Sequence, residues 1–95
     1  MEVKVLIRRN YQEDHIPFLK PVLQQLYAIV QEYGGYISGE TFVNCEKPQD
    51  HLIISQWSSL DKWQAYHRDE RVKKLCNEID LIIGQPTTHL VYQKE

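Results

Sequence analysis

Val3, Val5 and Ile7 alternate with Lys4, Leu6 and Arg8 at the start of the chain. This period of two predicts a strand from Glu2 to Arg9 with one apolar face and one mixed face. Asn10 to His15 is a polar connector, after which the repeat changes. Leu19, Val22, Leu23, Leu26, Ile29, Val30 and Tyr33 recur at three- and four-residue intervals, the stripe of an amphipathic helix. Asp14 is placed to cap its start, and Pro17 falls in the first turn, where no backbone N–H is needed. Pro21 bends that turn or moves the start toward Lys20. Gly34-Gly35 predicts a left-handed stop.

A second strand is expected from Tyr36 to Asn44, with Ile37, Thr41 and Val43 opposite Tyr36, Glu40 and Phe42. Cys45 to Asp50, containing Lys47-Pro48, reads as a hairpin connection. The apolar run Leu52-Ile53-Ile54 centres a third strand over His51 to Trp57. Ser58 with Asp61 three residues on resembles a capping box, opening a helix. Leu60, Trp63 and His67 share its stripe, with Tyr66 one position off. The phase then shifts between Arg68 and Glu70, predicting a kink or two short helices. Val72, Leu75, Cys76, Ile79 and Ile83 carry the second phase, which Gly84 and Pro86 end. Thr87 to Gln93 supplies a last strand.

The order β-α-β-β-α-β predicts a ferredoxin-like α+β fold. Its four-stranded antiparallel sheet would carry both helices on one face, with residues 1–95 as one domain. The other face would then include Lys4, Leu6, Arg8 and either Phe42 or Val43. An apolar patch of that kind calls for a partner, and a homodimer closing sheet on sheet is the simplest cover.

Composition narrows the function classes. Hydrophobic residues at 42% and charged residues at 25% exclude a disordered chain. Eleven basic against thirteen acidic residues give a net charge of -2, which argues against nucleic acid or an anionic membrane surface as partner. No apolar run approaches the roughly 18–20 residues of a membrane span. The N-terminus lacks the features of a signal peptide, so a cytoplasmic protein is expected. Cys45 and Cys76, far apart and outside any CxxC pair, read as free thiols in a reducing compartment.

The segment Trp57 to His67 concentrates the candidate chemistry. Trp57, Trp63 and Tyr66 could clamp a planar ligand, with His67 moving a proton near neutral pH. The competing reading makes both tryptophans core and leaves Tyr66 and His67 at the edge. His15, His51, His67 and His89 show no metal-ligand spacing, so no metal is expected. In Arg8-Arg9-Asn10 adjacent residues point to opposite faces, so only one arginine can enter a helix-side pocket and meet a carboxylate or enolate. Gly34-Gly35 is not a phosphate loop, because a strand follows it.

The run from Ile54 through Trp57, Trp63 and Tyr66, followed by Arg71, Ile79 and Gly84-Gln85-Pro86-Thr87, resembles the antibiotic biosynthesis monooxygenase family. The resemblance spans the whole chain in length and element order. It implies a dimeric α/β barrel, two ferredoxin-like sheets joined with their helices outside. The implied activity is monooxygenation of a small phenolic or quinol-type aromatic, with no metal, flavin or other cofactor. Tyr66 and His67 would be its catalytic residues. Trp57, Trp63, Arg8 and Asn10 would bind substrate, the last two as oxyanion donors. A heme-degrading branch of the family uses a Trp where this chain has Tyr66 and a His where it has Cys76. Asn10 also lies slightly late for that branch's asparagine, so heme is not expected. Other members only bind small molecules, which makes a non-catalytic sensing or carrier module the alternative.

Overall fold

In the computed structural model, which describes residues 1–95, the alternating N-terminal segment is strand β1, Val3–Asn10. Helix α1 (Ile16–Val30) follows, then strands β2 (Tyr36–Val43) and β3 (Asp50–Trp57). Helices α2 (Leu60–His67) and α3 (Glu70–Ile83) lead into β4 (Thr88–Gln93). The four strands form one antiparallel sheet in the order β2-β3-β1-β4. This is the expected ferredoxin-like arrangement.

Register assigns the faces, because residues paired across an antiparallel ladder share one. Val3, Val5 and Ile7 pair with Trp57, Ser55 and Ile53 on β3, and with Gln93, Val91 and His89 on β4. Val3, Val5 and Trp57 are buried with Val30 of α1 and Trp63 of α2, so this is the helix-covered face. A second cluster packs Leu19, Val22, Leu26 and Ile29 of α1 against Val72, Leu75, Ile79 and Ile83 of α3. Tyr33 and Tyr66 touch both clusters.

The break between α2 and α3 falls where the phase shift placed it. Asp69 caps α3 by accepting from the Arg71 N–H at 2.8 Å. Its carboxylate also accepts from the Tyr33 hydroxyl at 2.6 Å, which ties the end of α1 to the start of α3. Gly84, at φ 71°, ends α3 in the left-handed conformation, as expected.

Four local expectations need correction. Asp14 does not cap α1: it lies in a 3-10 turn, Glu13–His15, where the Gln12 N–H donates to His15 Nδ1. The cap of α2 is Ser59 rather than Ser58, its hydroxyl accepting from the Lys62 N–H. Gly34 and Gly35 are not left-handed, since Gly84 alone has positive φ. The chain after α1 tightens instead through Glu32 N–H to Ile29 O and Tyr33 N–H to Val30 O. Gly35 is needed for space, because a Cβ there would sit 2.3 Å from Lys62 Cβ. Finally, a bulge between Tyr36 and Ser38 moves Tyr36 to the helix-covered face, opposite Trp57. Beyond it, Gly39, Thr41 and Val43 continue on that face, while Ser38, Glu40 and Phe42 take the other.

The uncovered face therefore carries Phe42 rather than Val43. Phe42, Leu52, Arg8 and Thr88 form one row across the sheet, and Glu40, Ile54, Leu6 and Leu90 the next. Phe42, Leu90 and Tyr92 are each about half exposed there.

Candidate functional site

A cavity of about 160 Å³ lies between α1 and the covered face of β1, β2 and β3. It exists because α1 and α3 pack mainly on each other, leaving β2 and the far side of β3 without a close helical cover. Leu23, Leu26, Tyr27 and Val30 of α1 form one wall. Ile7 and Arg9 of β1, Ile53, Ser55 and Trp57 of β3, and Tyr36 and Gly39 of β2 form the floor. Trp63 and Tyr66 of α2 close one end. A larger groove along the outside of α1 shares Leu23 and Tyr27 with the cavity.

The aromatic walls hold one another in place. Tyr36 meets Trp57 edge-on, with ring centres 5.5 Å apart, and Trp57 meets Tyr66 at 5.2 Å. The Trp57 indole N–H donates to Ser55 Oγ at 3.3 Å. Gly39 makes room for Tyr36: a Cβ there would stand 2.6 Å from the Tyr36 hydroxyl oxygen. Trp57, Trp63 and Tyr66 are thus brought together as the sequence suggested. Both tryptophans are core, as the competing reading had it, and both also line the cavity.

The remaining candidates lie elsewhere. Arg8 is on the uncovered face, where its guanidinium grips the Asp50 carboxylate through Nε at 3.0 Å and Nη2 at 2.9 Å. That pairing pulls the Asp50 pKa down to about 2. Asn10 shares the Arg8 face by alternation and is exposed. His67 does not line the cavity. It stacks on Trp63, with ring centres 4.7 Å apart, and leans on His89 of β4 at 4.8 Å. Burial lowers the pKa of His67, and that of His89 falls to about 4 through burial and the facing His67 and Arg9. The four histidines do not converge with other ligand types, and no cluster of His, Cys, Asp or Glu could hold a metal ion.

The arginine in the cavity is Arg9. The alternation through Val3, Val5 and Ile7 already carried this information, because the next residue in phase is Arg9. It is 6% exposed. Its Nε donates to Thr87 Oγ1 at 3.3 Å, and that hydroxyl donates to Asp80 Oδ1 at 2.6 Å. Burial lowers its pKa from a very high value, so the guanidinium stays a cation. Tyr66 is its neighbour in the cavity wall, and burial pushes that phenol far above its ordinary range. Tyr66 is therefore a hydrogen-bond donor at neutral pH, not a base. Cys76, half-buried near Arg9, also has its thiol pushed up by burial. The cavity offers a cation, a phenolic donor and flat aromatic walls.

The fold and this cavity define a ferredoxin-like sheet protein with an aromatic-lined cavity under its first helix. Comparison with solved structures shows that the fold is that of the antibiotic biosynthesis monooxygenases. The chain is similar to an antibiotic biosynthesis monooxygenase at 16% identity and TM-score 0.77, covering 98% of each chain. It is also similar to SnoaB, a cofactor-independent oxygenase from Streptomyces nogalater, studied as a mutant. There the identity is 12%, the TM-score 0.80, and the match covers 98% of this chain and 92% of that one. A conserved protein from Methanosarcina mazei Go1 superposes at TM-score 0.85 and 13% identity, over 100% of this chain and 94% of that one. No protein-family model matches the sequence, and no curated protein matches it. No helix is long and apolar enough to cross a membrane.

Proposed function

We propose that this chain is a cofactor-independent monooxygenase acting on a small phenolic or quinol-type aromatic, working as a cytoplasmic homodimer. The observation that carries the reading is the aromatic cavity with Arg9 and Tyr66 in its wall. A phenol that enters it meets a fixed positive charge and a phenolic O–H, both of which favour its anion. The proton leaves to water, since neither Tyr66 nor Arg9 can take it. The electron-rich phenolate then reduces O₂ itself. One oxygen atom enters the ring and the other leaves as water, so phenol and O₂ give a quinone and water with no outside reductant. The likeness to a cofactor-independent oxygenase supports this chemistry.

Oxygen uptake with a panel of hydroquinones and hydroxybenzoates tests it. Turnover is expected, with Tyr66→Phe slower by about tenfold or more, because one donor to the developing oxyanion is lost. A panel that binds without consuming oxygen would overturn the catalytic reading. The second reading, a sensing or carrier module, is favoured by one feature: no side chain of the cavity is a base, and His67 stands outside.

The uncovered face supports the dimer. Leu6, Ile54 and Leu90 lie side by side at its centre, and Phe42 and Leu52 extend the patch. A second copy of the chain pressed against this face should bury more than about 1,200 Å² in total. Light scattering should return twice the 11.3 kDa chain mass. Leu90→Glu, a charge placed in the patch, should halve it. A wild-type monomer at micromolar concentration would remove the dimer from the proposal.

A further inference from the structure

We infer that the cavity is built for a single phenolic ring carrying a carboxylate, which the two terminal nitrogens of Arg9 receive as a fork. The inference rests on the small-molecule reading of the cavity and names the ligand class; for such a ligand Arg9 serves the carboxylate, and the donor left for the ring hydroxyl is Tyr66. Arg9 is the observation that carries it. More than nine-tenths of the residue is buried, yet it makes no ion pair. The ion pairs of the chain belong to Arg8, Arg71 and Lys73, whose side chains are all more than half exposed. The one bond the Arg9 side chain makes uses Nε, and its acceptor, Thr87, is itself held by Asp80. This relay fixes the guanidinium plane and leaves both terminal nitrogens unpartnered. Neither is sealed off, since no fully buried side-chain nitrogen of the chain lacks a hydrogen bond. Two parallel N–H groups on a residue that lines the cavity match a carboxylate in shape and charge.

The Asp80 carboxylate reaches Arg9 only through the Thr87 hydroxyl. A buried guanidinium with no carboxylate in direct contact costs folding stability, so a chain that only needed packing would do better with Met or Leu. Size and lining choose the rest of the ligand. A cavity of about 150 Å³ accepts one benzene ring, and this one is about 160 Å³. Trp57, Tyr36 and Tyr66 supply flat apolar walls for that ring, which a bare inorganic anion would not use.

The experiment is a binding titration without oxygen, comparing 4-hydroxybenzoate with 4-hydroxybenzamide by tryptophan fluorescence. The two differ in charge but scarcely in size. The acid is expected to bind the wild type at least about tenfold more tightly than the amide. Arg9→Met should erase that preference while melting no lower than the wild type, since it removes a buried charge that no carboxylate contacts directly. Equal affinity of the wild type for acid and amide would overturn the inference, whatever the variant does. So would an Arg9→Met protein that keeps the preference, or one that melts several degrees lower, because the guanidinium would then be a structural strut. Failure of oxygen uptake leaves this result standing. Conversely, uptake with a neutral hydroquinone but no preference for the acid would retain the oxygenase reading and discard this one.

Discussion

Replacing Trp57 by alanine is expected to cost about 3–5 kcal/mol of folding stability. The ring is 1% exposed and sits between Val3, Val5, Val30 and Trp63, with its N–H on Ser55. A chain of 95 residues has only about 5–14 kcal/mol to lose, so the variant should be close to unfolding at 37 °C. Trp57→Phe should lose far less, keeping most of the packing and giving up the bond to Ser55. Urea denaturation of the three proteins checks both values. A loss under about 1 kcal/mol for Trp57→Ala would mean that the sheet and α2 do not close on this ring.

Stability should also fall steeply between pH 6.5 and 4, and His89 is the main cause. Its folded pKa is about 4 against 6.5 for an unperturbed histidine. Above pH 6.5 both folded and unfolded chains hold it neutral, and its contribution is constant. As the pH drops below 6.5, the unfolded chain takes up a proton that the folded chain refuses, so unfolding gains ground. Below about pH 4 the folded form is protonated too, and the loss stops growing. The difference in pKa corresponds to about 3 kcal/mol over this window. His67 is shifted in the same direction and adds to the slope. The Asp50 carboxylate, with its pKa lowered to about 2, acts later, losing its stabilising effect as the pH falls from about 4 through 2. Denaturation midpoints of wild type and His89→Gln at pH 7.5, 6 and 4.5 separate these contributions. The variant should show a much flatter dependence. A wild-type slope unchanged by the substitution would remove His89 from the account.

How much of this was legible in the residues depends on the range of the interaction that decides each feature. Alternation in β1, the long stripe of α1 and the phase shift before α3 are local signals, and the fold follows them closely. The aromatic wall was legible for the same reason, since Trp57 ends a strand and Trp63 and Tyr66 stand one helical turn apart. Arg9 was legible as well, in phase with Val3, Val5 and Ile7, but its neighbour Arg8 drew the attention. Tyr36 was not, because a bulge adds one residue to β2 and alternation alone then assigns it to the wrong face. The role of Gly35 was hidden too: it makes room for Lys62, 27 positions further along, and nothing near Gly35 announces that approach. His67 fell outside the cavity because Trp63 offers two ring faces, and His89, brought close only by the sheet, helps hold the imidazole on the far one.

One floor of the cavity is also the least secured part of the sheet. β2 bonds to β3 alone, its residues are exposed along nearly their whole length, and no helix lies close against it. Its amide hydrogens should therefore trade with solvent deuterium well ahead of those in β1 and β3, through openings that cost a fraction of global unfolding. Tyr36 rides on that strand. Each brief excursion of β2 widens the space beneath α1 while α1 and α2 stay in place. A small molecule held there as proposed would enter and leave with the breathing of one edge strand, and the rate at which that strand peels and recloses would set how long it stays.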